Sequence, residues 1–302
     1  MENLTDIAVF VQVVQSGSFT RAAERLKLSR SVVSKYINRL EGRLDARLLN
    51  RTTRQISLTE VGKVFFDHTR QGLQAIEEAE SEVTRLQGKP RGVLRINAPM
   101  SFGILHIAPA LAAFQAQYPE VLIDLNLDDR KVDVIEEGFD ISVRITAELP
   151  DSTLIAKRIA SCKHAIVATP EYLQQHGKPT APGQLTRHKI LSYQHQDHAL
   201  EWRFRNTKGE ELLVSLNSNL QINNSLALKE ALLSDMGICR MPSFMIDKEI
   251  KNGRLQELFD SYEILEVSIY LVYPQRRYLS PKVAAFIDFF STQIATNANW
   301  KI

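Results

Sequence analysis

The amino-acid sequence predicts an α/β protein in which a small helical N-terminal domain and a long helix precede a larger α/β domain. Three observations support this fold class. Apolar residues recur at helical spacing through the first 43 residues, no proline occurs before residue 90, and strand-like and helix-like segments alternate from residue 93 onwards. With 302 residues, the chain is long enough for two domains.

The N-terminal domain is predicted to contain three helices and two strands. The first fifteen residues carry apolar side chains at a spacing of three or four, which predicts a helix. Ser18 is the predicted N-cap of a second helix that ends at Leu26, and Ser29 of a third that ends at Arg43. Two short strands joined by a turn are expected before residue 59.

A single long helix is predicted next. It begins at Thr59, and its 28 or so residues would span ~40 Å. Its apolar positions are too sparse for the core of a small domain, so the helix is predicted to be a spacer that packs against a partner helix. Gly88–Gly92, which also contains Pro90, ends the helix and is predicted to be a hinge.

The remaining chain alternates between strand-like and helix-like segments, which predicts a doubly wound parallel sheet. Strands are predicted at residues 93–96, 121–127, 140–145, 163–169, 189–193, 219–222, 236–240 and 266–273. Helices are predicted at residues 102–117, 131–137 and 280–296.

Charge is distributed unevenly along the chain. The net charge is only +2, but residues 21–54 contain ten Lys and Arg and three acidic residues. Residues 91–302 contain 23 basic and 24 acidic residues. A basic N-terminal domain attached to a near-neutral body is the asymmetry expected of a nucleic-acid-binding protein with a separate second domain.

Other features exclude several classes of protein. The two cysteines, Cys162 and Cys239, are far apart, which excludes a disulfide scaffold and favours two small buried residues, with a redox pair as the alternative. No secretory signal pattern and no apolar run of ~20 residues is present, so a cytoplasmic protein is expected. No phosphate-binding glycine loop, nucleophile elbow or metal-ligand cluster occurs, which counts against an enzyme.

The predicted third helix has two different faces. Val33, Ile37 and Leu40 fall on one face with Tyr36, whereas hydroxyl, amide and cationic side chains fall on the other. A helix held by its apolar face that presents such groups suits the major groove of DNA. The alternative is an ordinary solvated helical hairpin. The basic turn after the helix, residues 51–54, favours DNA binding.

The stretch SGSFTRAAERLKLSRSVVSKYINRLEGRLDARLLNRTTRQISLTEVG resembles the winged helix-turn-helix of the LysR-type transcriptional regulators. The likeness covers the GSFTxAAxxLxxSxxxVSxxIxxLE pattern and the LxxRxxRxxxLTxxG pattern that follows. The resemblance extends over essentially the whole chain and implies a linker helix and an effector domain of two α/β subdomains similar to periplasmic solute-binding proteins.

The resemblance also implies DNA-contacting residues. The base-reading set is Arg30, Ser31, Ser34 and Lys35, with Asn38 as a further candidate. Thr20 and Ser29 occupy positions at which the family usually holds backbone phosphates, and the wing supplies Arg51, Thr53 and Arg54. Many relatives have Gln-Pro or Gln-Ser where this chain has Arg30-Ser31, so Arg30 is interpreted either as a reader of a guanine edge or as a phosphate clamp.

Domain boundaries and partners follow from the same resemblance. The expected domains are residues 1–58, the linker helix 59–88 and the effector domain 89–302. The effector domain is expected to divide into one subdomain of residues 91–161 plus 267–302 and another of residues 162–266. The linker implies a homodimer, with a tetramer as the alternative, that binds a pseudo-palindromic operator and acts on RNA polymerase.

The effector is expected to bind between the two subdomains, outside the carboxyl ends of strands. No cofactor is expected beyond a small organic effector, for which a carboxylate is the preferred class. The candidate binding residues are Ser101, Phe102, Arg130, Arg144, Tyr193, His195 and Asn224.

Several of these candidates have simpler interpretations. Ser101 is either an anion-binding group or an N-cap, and Arg130 faces the cleft or is only solvated. Arg144 lies in an apolar strand, so its charge needs either a ligand or an internal carboxylate. His195 and His198 have the spacing for a shared metal ion, but no third ligand is evident in the sequence. A solute-binding module without DNA function is the rival to a regulator, and the basic N-terminal domain counts against it.

Overall fold

The computed structural model describes residues 2–51, 56–87, 89–130, 132–149, 152–195, 199–264, 266–275 and 279–296. The chain divides into two compact units, of which one contains residues 1–90 and the other most of residues 91–302. Residues 133–138 and 279–281 group with the first unit.

The N-terminal unit begins with three helices, α1 (Glu2–Ser16), α2 (Phe19–Leu26) and α3 (Arg30–Leu44). Strands β1 (Leu49–Arg51) and β2 (Ile56–Leu58) pair antiparallel, and the long helix α4 covers Glu60–Gln87. Apolar side chains from all three short helices form one core, in which Phe10, Ile37 and Leu48 are fully buried. Phe65 of α4 packs on Phe10 with ring centroids 5.6 Å apart.

The second unit opens with three parallel strands and their connecting helix. Strands β3 (Gly92–Ala98), β4 (Val121–Leu127) and β5 (Ile141–Thr146) run parallel, as predicted. The connecting helix consists of α5 (Met100–Phe102), a π-helical turn over Gly103–Ile107 and α6 (Ala108–Gln117). Leu94 and Ile96 of β3 and Phe114 of α6 are fully buried.

The remaining elements complete two sheets. They are β6 (Leu154–Ala168), α7 (Pro170–His176), a 3₁₀ helix (Pro182–Arg187), β7 (Ile190–Tyr193), β8 (Glu201–Asn206), β9 (Glu211–Ser215), β10 (Ser218–Ile222), α8 (Ser225–Leu233), β11 (Ile238–Pro242), α9 (Ser243–Lys251), β12 (Gln256–Leu258), β13 (Tyr262–Ile264), β14 (Glu266–Pro274) and α10 (Pro281–Thr296). In the described part of the chain, the larger sheet has the order β10-β7-β11-β6-β14-β5-β3-β4, with β12 also paired to β6.

Strands β6 and β14 run through both halves of this sheet. β14 pairs antiparallel with β5 and with residues 154–163 of β6, whereas residues 164–168 of β6 pair with β11 and β12. The sheet is therefore mixed: β3, β4 and β5 are parallel as predicted, but the antiparallel strands depart from the predicted parallel sheet. Antiparallel strands can be joined without a crossover helix, so the alternation of strand-like and helix-like segments did not reveal the antiparallel pairing.

Three further features depart from the sequence prediction. Strand β6 begins nine residues before the predicted Lys163, and a separate sheet of order β13-β8-β9 was not predicted. The helix predicted at 131–137 is wrong for the described residues, since residues 134–138 form turns. Asp133 accepts hydrogen bonds from the N–H groups of Ile135 and Glu136, and Gly138 then ends the turn at φ +74. An Asp side chain that binds nearby N–H groups favours a turn over a continuing helix.

Candidate nucleic-acid interface and effector cleft

The turn between α2 and α3 is built by its own side chains. Ser18 caps α2 by accepting a hydrogen bond from the Arg21 N–H, and Ser29 caps α3 by accepting one from the Val32 N–H, with Ser29 Oγ to Val32 N at 3.3 Å. Lys27 takes the left-handed conformation, with φ +53, and its backbone N–H donates to carbonyl oxygens of α2. Both predicted caps are confirmed, and together they fix the direction in which α3 leaves α2.

One side of α3 is anchored to its surroundings. Val33, Ile37 and Leu40 have no exposed surface. Arg39 donates three hydrogen bonds to the buried carboxylate of Asp6 on α1, with Arg39 Nε to Asp6 Oδ2 at 2.9 Å.

The C-terminal end of α3 is also tied to strand β1. Glu41 Oε1 accepts the N–H groups of Leu48 and Leu49, at 2.9 and 3.2 Å. These charge-assisted bonds fix the C-terminal half of the helix to α1 and to β1.

The opposite side of α3 is open to solvent. Arg30, Ser31, Lys35 and Asn38 are exposed, and Ser34 is half-buried. Ser29 and Ser31 hydroxyls lie 2.8 Å apart at the start of the helix. The structure thus brings the predicted base-reading residues onto one exposed face.

The remaining predicted DNA contacts lie around this helix. Thr20 is exposed in the first turn of α2. Arg51 is the last residue of β1, and its side chain is not described; Thr53 and Arg54 lie outside the described residues.

In the second unit, the carboxyl ends of strands from the two halves of the large sheet face each other across a cleft. Asn224, which follows β10, places its amide nitrogen 2.7 Å from the sulfur of Met100, which follows β3. Tyr193, at the end of β7, hydrogen-bonds to the carboxylate of Asp129, which follows β4. Asp129 in turn accepts the Met100 N–H at 2.8 Å. Burial and the nearby Asp129 carboxylate raise the pKa of Tyr193, so its hydroxyl stays protonated.

Two predicted effector residues already serve the fold. Asn224 caps α8, because its side-chain oxygen accepts the Ala227 N–H. Phe102 is fully buried, and its ring contacts those of Phe244 and Phe290 at centroid distances of 5.6 and 6.2 Å. Ser101, beside it, is also buried and makes no side-chain cap of α5, which is instead preceded by Pro99.

The predicted cationic residues of the cleft have internal partners. Arg130 Nε donates to Asp128 Oδ2 at 2.7 Å. Burial tends to raise the pKa of Asp128, but the hydrogen bonds and charge of Arg130 hold it below the usual value. Arg144 donates to the Val132 carbonyl oxygen at 3.3 Å, a partner that the sequence analysis did not consider. His195 is exposed, and its ring lies 5.8 Å from that of Tyr193.

Arg240 was missed by the sequence analysis. It lies in β11, is 7% exposed, and its guanidinium carbon is 5.5 Å from the centre of the Trp202 ring. Burial lowers its pKa to about 10. The signal in the sequence was a charge within the apolar run Ile238–Met241, the same signal that drew attention to Arg144.

The cysteines and histidines of the described chain form no metal site. Among the described residues, no group of three His, Cys, Asp or Glu side chains is suited to hold a metal ion, and His198 lies outside them. Cys162 and Cys239 are both buried thiols, and burial raises the pKa of Cys239 to about 12. Neither thiol is therefore a ready nucleophile.

Comparison with known families gives the same division of the chain into two functional parts. The family described as the bacterial regulatory helix-turn-helix protein, LysR family, matches residues 4–63, and the LysR substrate binding domain matches residues 87–295. The chain belongs to the LysR family of transcriptional regulators. It therefore joins a DNA-binding helix-turn-helix domain to a domain that binds small-molecule effectors, and its family consists of regulators, not enzymes.

Relatives of this LysR-type regulator match over nearly its full length. A transcriptional regulator of Xanthomonas campestris is 37% identical over 301 residues, which cover 99% of this chain and 87% of the relative. CrgA of Neisseria meningitidis is 32% identical over 296 residues, which cover 98% of both proteins.

Solved structures of full-length LysR-type regulators have the same architecture. CrgA matches with a TM-score of 0.62 at 32% identity, covering 96% of this chain and 98% of CrgA. The Vibrio cholerae virulence activator AphB matches with a TM-score of 0.67 at 28% identity, covering 95% of this chain and 98% of AphB. None of the helices in the described residues is long and apolar enough to cross a membrane.

Proposed function

We propose that this LysR-type regulator acts as a cytoplasmic homodimer that binds a pseudo-palindromic operator through α3 and adjusts transcription when a small organic effector occupies the cleft. The observation that carries the proposal is the two-sided character of α3. Val33, Ile37 and Leu40 on its apolar face have no exposed surface, while Arg30, Ser31 and Lys35 are exposed on the other face. Such a helix offers hydrogen-bonding groups and cations to a groove without disturbing the core beneath it.

The proposed contacts divide by role. Arg30, Ser31, Ser34, Lys35 and Asn38 face the base edges and nearby phosphates. Thr20 and Ser29 hold the sugar-phosphate backbone, and the wing residues Arg51, Thr53 and Arg54 contact the flanking DNA. The cap of α3 supports this assignment, because Ser29 and Ser31 lie at its N-terminus, where helices attract phosphate.

The proposed domains are residues 1–58, the linker helix 59–88 and the effector domain 89–302. The homodimer is proposed to form along the linker helix. Val61, Val64 and Ile76 of α4 are 56%, 58% and 41% exposed in the single chain. Large apolar residues exposed in a row along a helix favour burial against a second helix. A two-fold dimer presents two copies of α3 to two half-sites, which is why a pseudo-palindromic operator is expected.

The effector is proposed to bind where Tyr193, Asn224, Met100 and Asp129 meet across the cleft, near Ser101. Phe102 forms part of the wall, and Arg130, Arg144 and His195 lie around it as further proposed contacts.

An effector shifts the regulator between two arrangements only by its difference in affinity for them. Activation through RNA polymerase, repression and self-repression all remain consistent with this mechanism.

The DNA-binding assignment is tested on a fragment recovered by a genome-wide binding map. We expect Lys35→Ala to lower affinity in gel shifts and to flatten the slope of log affinity against log salt by ~1, because one phosphate contact is lost. Arg187→Ala, at an exposed cation of the effector domain, is the matched control and should leave both unchanged.

Arg30 is tested in the same assay, because its two interpretations predict different results. If Arg30 reads a guanine edge, Arg30→Lys should relax site choice at one base, since lysine lacks the two-pronged geometry. If it clamps a phosphate, Arg30→Lys should retain both affinity and site choice. Unchanged DNA binding in both Lys35→Ala and Arg30→Ala would contradict the assignment of α3.

A further inference from the structure

Arg240 is a cation placed in the interior of a sheet. Its strand, β11, lies between β6 and β7, and Arg240 pairs with Ile166 of β6. The residue is 7% exposed. Its guanidinium lies over the Trp202 ring, and Ile166, Ile238 and Trp202 all belong to one hydrophobic core. The charge is therefore removed from water on several sides.

Within the described residues, this guanidinium lacks the anion that other buried charges have. Arg240 Nε is buried and has no acceptor within hydrogen-bond distance. By contrast, Lys229 lies 2.8 Å from Glu249, and Lys282 lies 2.8 Å from Asp140. Asp6 is likewise held by Arg39. Burying a charge without an anion or acceptor is unfavourable, so Arg240 is not explained by the stability of the fold.

The position of Arg240 relates it to the cleft. Strands β7, β10 and β11 are parallel, so their carboxyl ends lie at one edge. Cys239 pairs with Leu191, which puts Arg240 level with Ser192, one residue before Tyr193 at the cleft. The Ser192 hydroxyl already donates to Ser218 Oγ at 2.8 Å. In open α/β sheets, ligands bind beyond this edge.

The charge state and surroundings of Arg240 indicate the class of ligand. Its pKa of about 10 keeps it cationic at neutral pH. A single guanidinium beside an aromatic ring matches one carboxylate, which it can bind through two parallel N–H donors.

We propose that Arg240 binds the carboxylate of the small organic effector, with the Trp202 ring as a wall of the same subsite. The proposal rests on the effector cleft proposed above and adds the residue that selects the effector by its charge. It also identifies Trp202 as a natural reporter of occupancy.

The test uses the full-length protein with Trp300→Phe, which leaves Trp202 as the remaining tryptophan of two. Acetate, succinate and benzoate are titrated at constant ionic strength, with inorganic phosphate and chloride as the comparison anions. Thermal unfolding is followed with every anion, and Trp202 fluorescence is followed with acetate and succinate. We expect at least one carboxylate to raise the Tm of this protein by more than phosphate or chloride does. Where Trp202 fluorescence is followed, the same carboxylate should also change the emission.

Arg240→Met is the decisive variant, because methionine fills a similar volume without charge. We expect its Tm without added anion to equal or exceed that of the parent and its carboxylate affinity to fall by roughly tenfold or more. Arg240→Lys, which keeps the charge, should retain part of the affinity. Arg254→Met, at an exposed arginine, is the matched control and should respond as the parent does.

Several outcomes would overturn the proposal. An equal carboxylate response in Arg240→Met would place the contact elsewhere, and a lower Tm with an unchanged response would make Arg240 a structural cation. No carboxylate response in the parent, or an equal response to phosphate or chloride, would remove the assigned ligand class. Gel shifts without added anion separate this result from the proposed function: Arg240→Met should bind DNA as the parent does, whereas failure of the parent to bind DNA would sink the proposed function itself.

Discussion

Arg30 and Lys35 of α3 differ in their surroundings from three arginines of the effector domain. Arg30 and Lys35 are exposed on the open face of the helix. In the effector domain, Arg130 is held by Asp128, Arg144 donates to a carbonyl oxygen, and Arg240 is buried against Trp202. Both regions belong to ligand-binding domains, yet the two cations of α3 are left exposed, whereas each of these three arginines has a partner within the fold.

The difference follows from the ligands. DNA is a large polyanion, and cations gain affinity for it mainly by releasing its counterions, which does not require burial. A small effector offers few groups, so its site must gain affinity and selectivity from a few fixed, desolvated contacts. Exposed cations grouped on one helix face therefore suit DNA, whereas a cation buried without an anion suits a small ligand.

The largest effect is expected where the exposed face depends on packing beneath it. At Gly62, near the start of α4, an alanine Cβ would lie 1.9 Å from the Leu48 carbonyl oxygen. We expect Gly62→Ala to lower the free energy of unfolding of the N-terminal domain by about 3 kcal/mol, because backbone must shift. Urea denaturation and gel shifts measure the effect, which should include weaker DNA binding but no change in the carboxylate response.

Gly72→Ala is the matched control in the same helix. No atom lies within 4 Å of its added Cβ, so the substitution should either leave the free energy of unfolding unchanged or raise it by up to ~1 kcal/mol through helix propensity. Equal behaviour of the two variants would show that the DNA-binding face does not depend on the packing at Leu48.

An intermediate effect is expected from pH in the effector domain. His106 lies between the rings of Phe102 and Phe244, and burial lowers its pKa to about 4. The unfolded chain binds this proton below about pH 6.5, whereas the folded protein resists it until about pH 4, so stability should fall as pH decreases through that range. His106→Phe keeps the aromatic packing and removes the proton site.

Thermal unfolding of both proteins between about pH 7 and pH 5 measures this effect. We expect the Tm of His106→Phe to rise relative to wild type as the pH falls. A difference that stays constant over this range would mean that His106 is not desolvated, and the contrast between the two regions would then rest on the arginines alone.

The smallest effect is expected at the cleft contact itself. Tyr193→Phe removes the hydroxyl that bonds to Asp129, while Asp129 keeps the Met100 N–H. We expect a loss of about 1 kcal/mol in the free energy of unfolding and an altered carboxylate affinity. Urea denaturation and the titrations above measure both quantities. Tyr118→Phe, at the C-terminal end of α6, is the control and should leave carboxylate affinity unchanged; a matching change there would exclude a specific role for Tyr193.

Local sequence patterns were sufficient for the N-terminal domain. The caps at Ser18 and Ser29 and the buried and exposed faces of α3 were predicted correctly. Each depends on side chains within about four residues of one another, so the spacing of residue types contains the information.

The effector domain was predicted less completely. Residues 154–162 of β6 become a strand because they pair with β14, more than a hundred residues later. The sequence also did not determine the direction in which the Phe102 side chain points. In the structure, this side chain is buried against Phe244 and Phe290. Pairing and burial of this kind depend on partners that periodicity does not reveal.

The sequence by itself determined the family, the two-domain organisation and the polar face of α3, because all of these are carried by local spacing and by a long, specific motif. Only the tertiary structure decided which cations are exposed and which are buried. Arg240 and Arg144 look alike in sequence, each a charge in an apolar strand. Arg144 finds a carbonyl oxygen, whereas Arg240 meets an aromatic ring, since the partner of each is supplied by a different element of the fold.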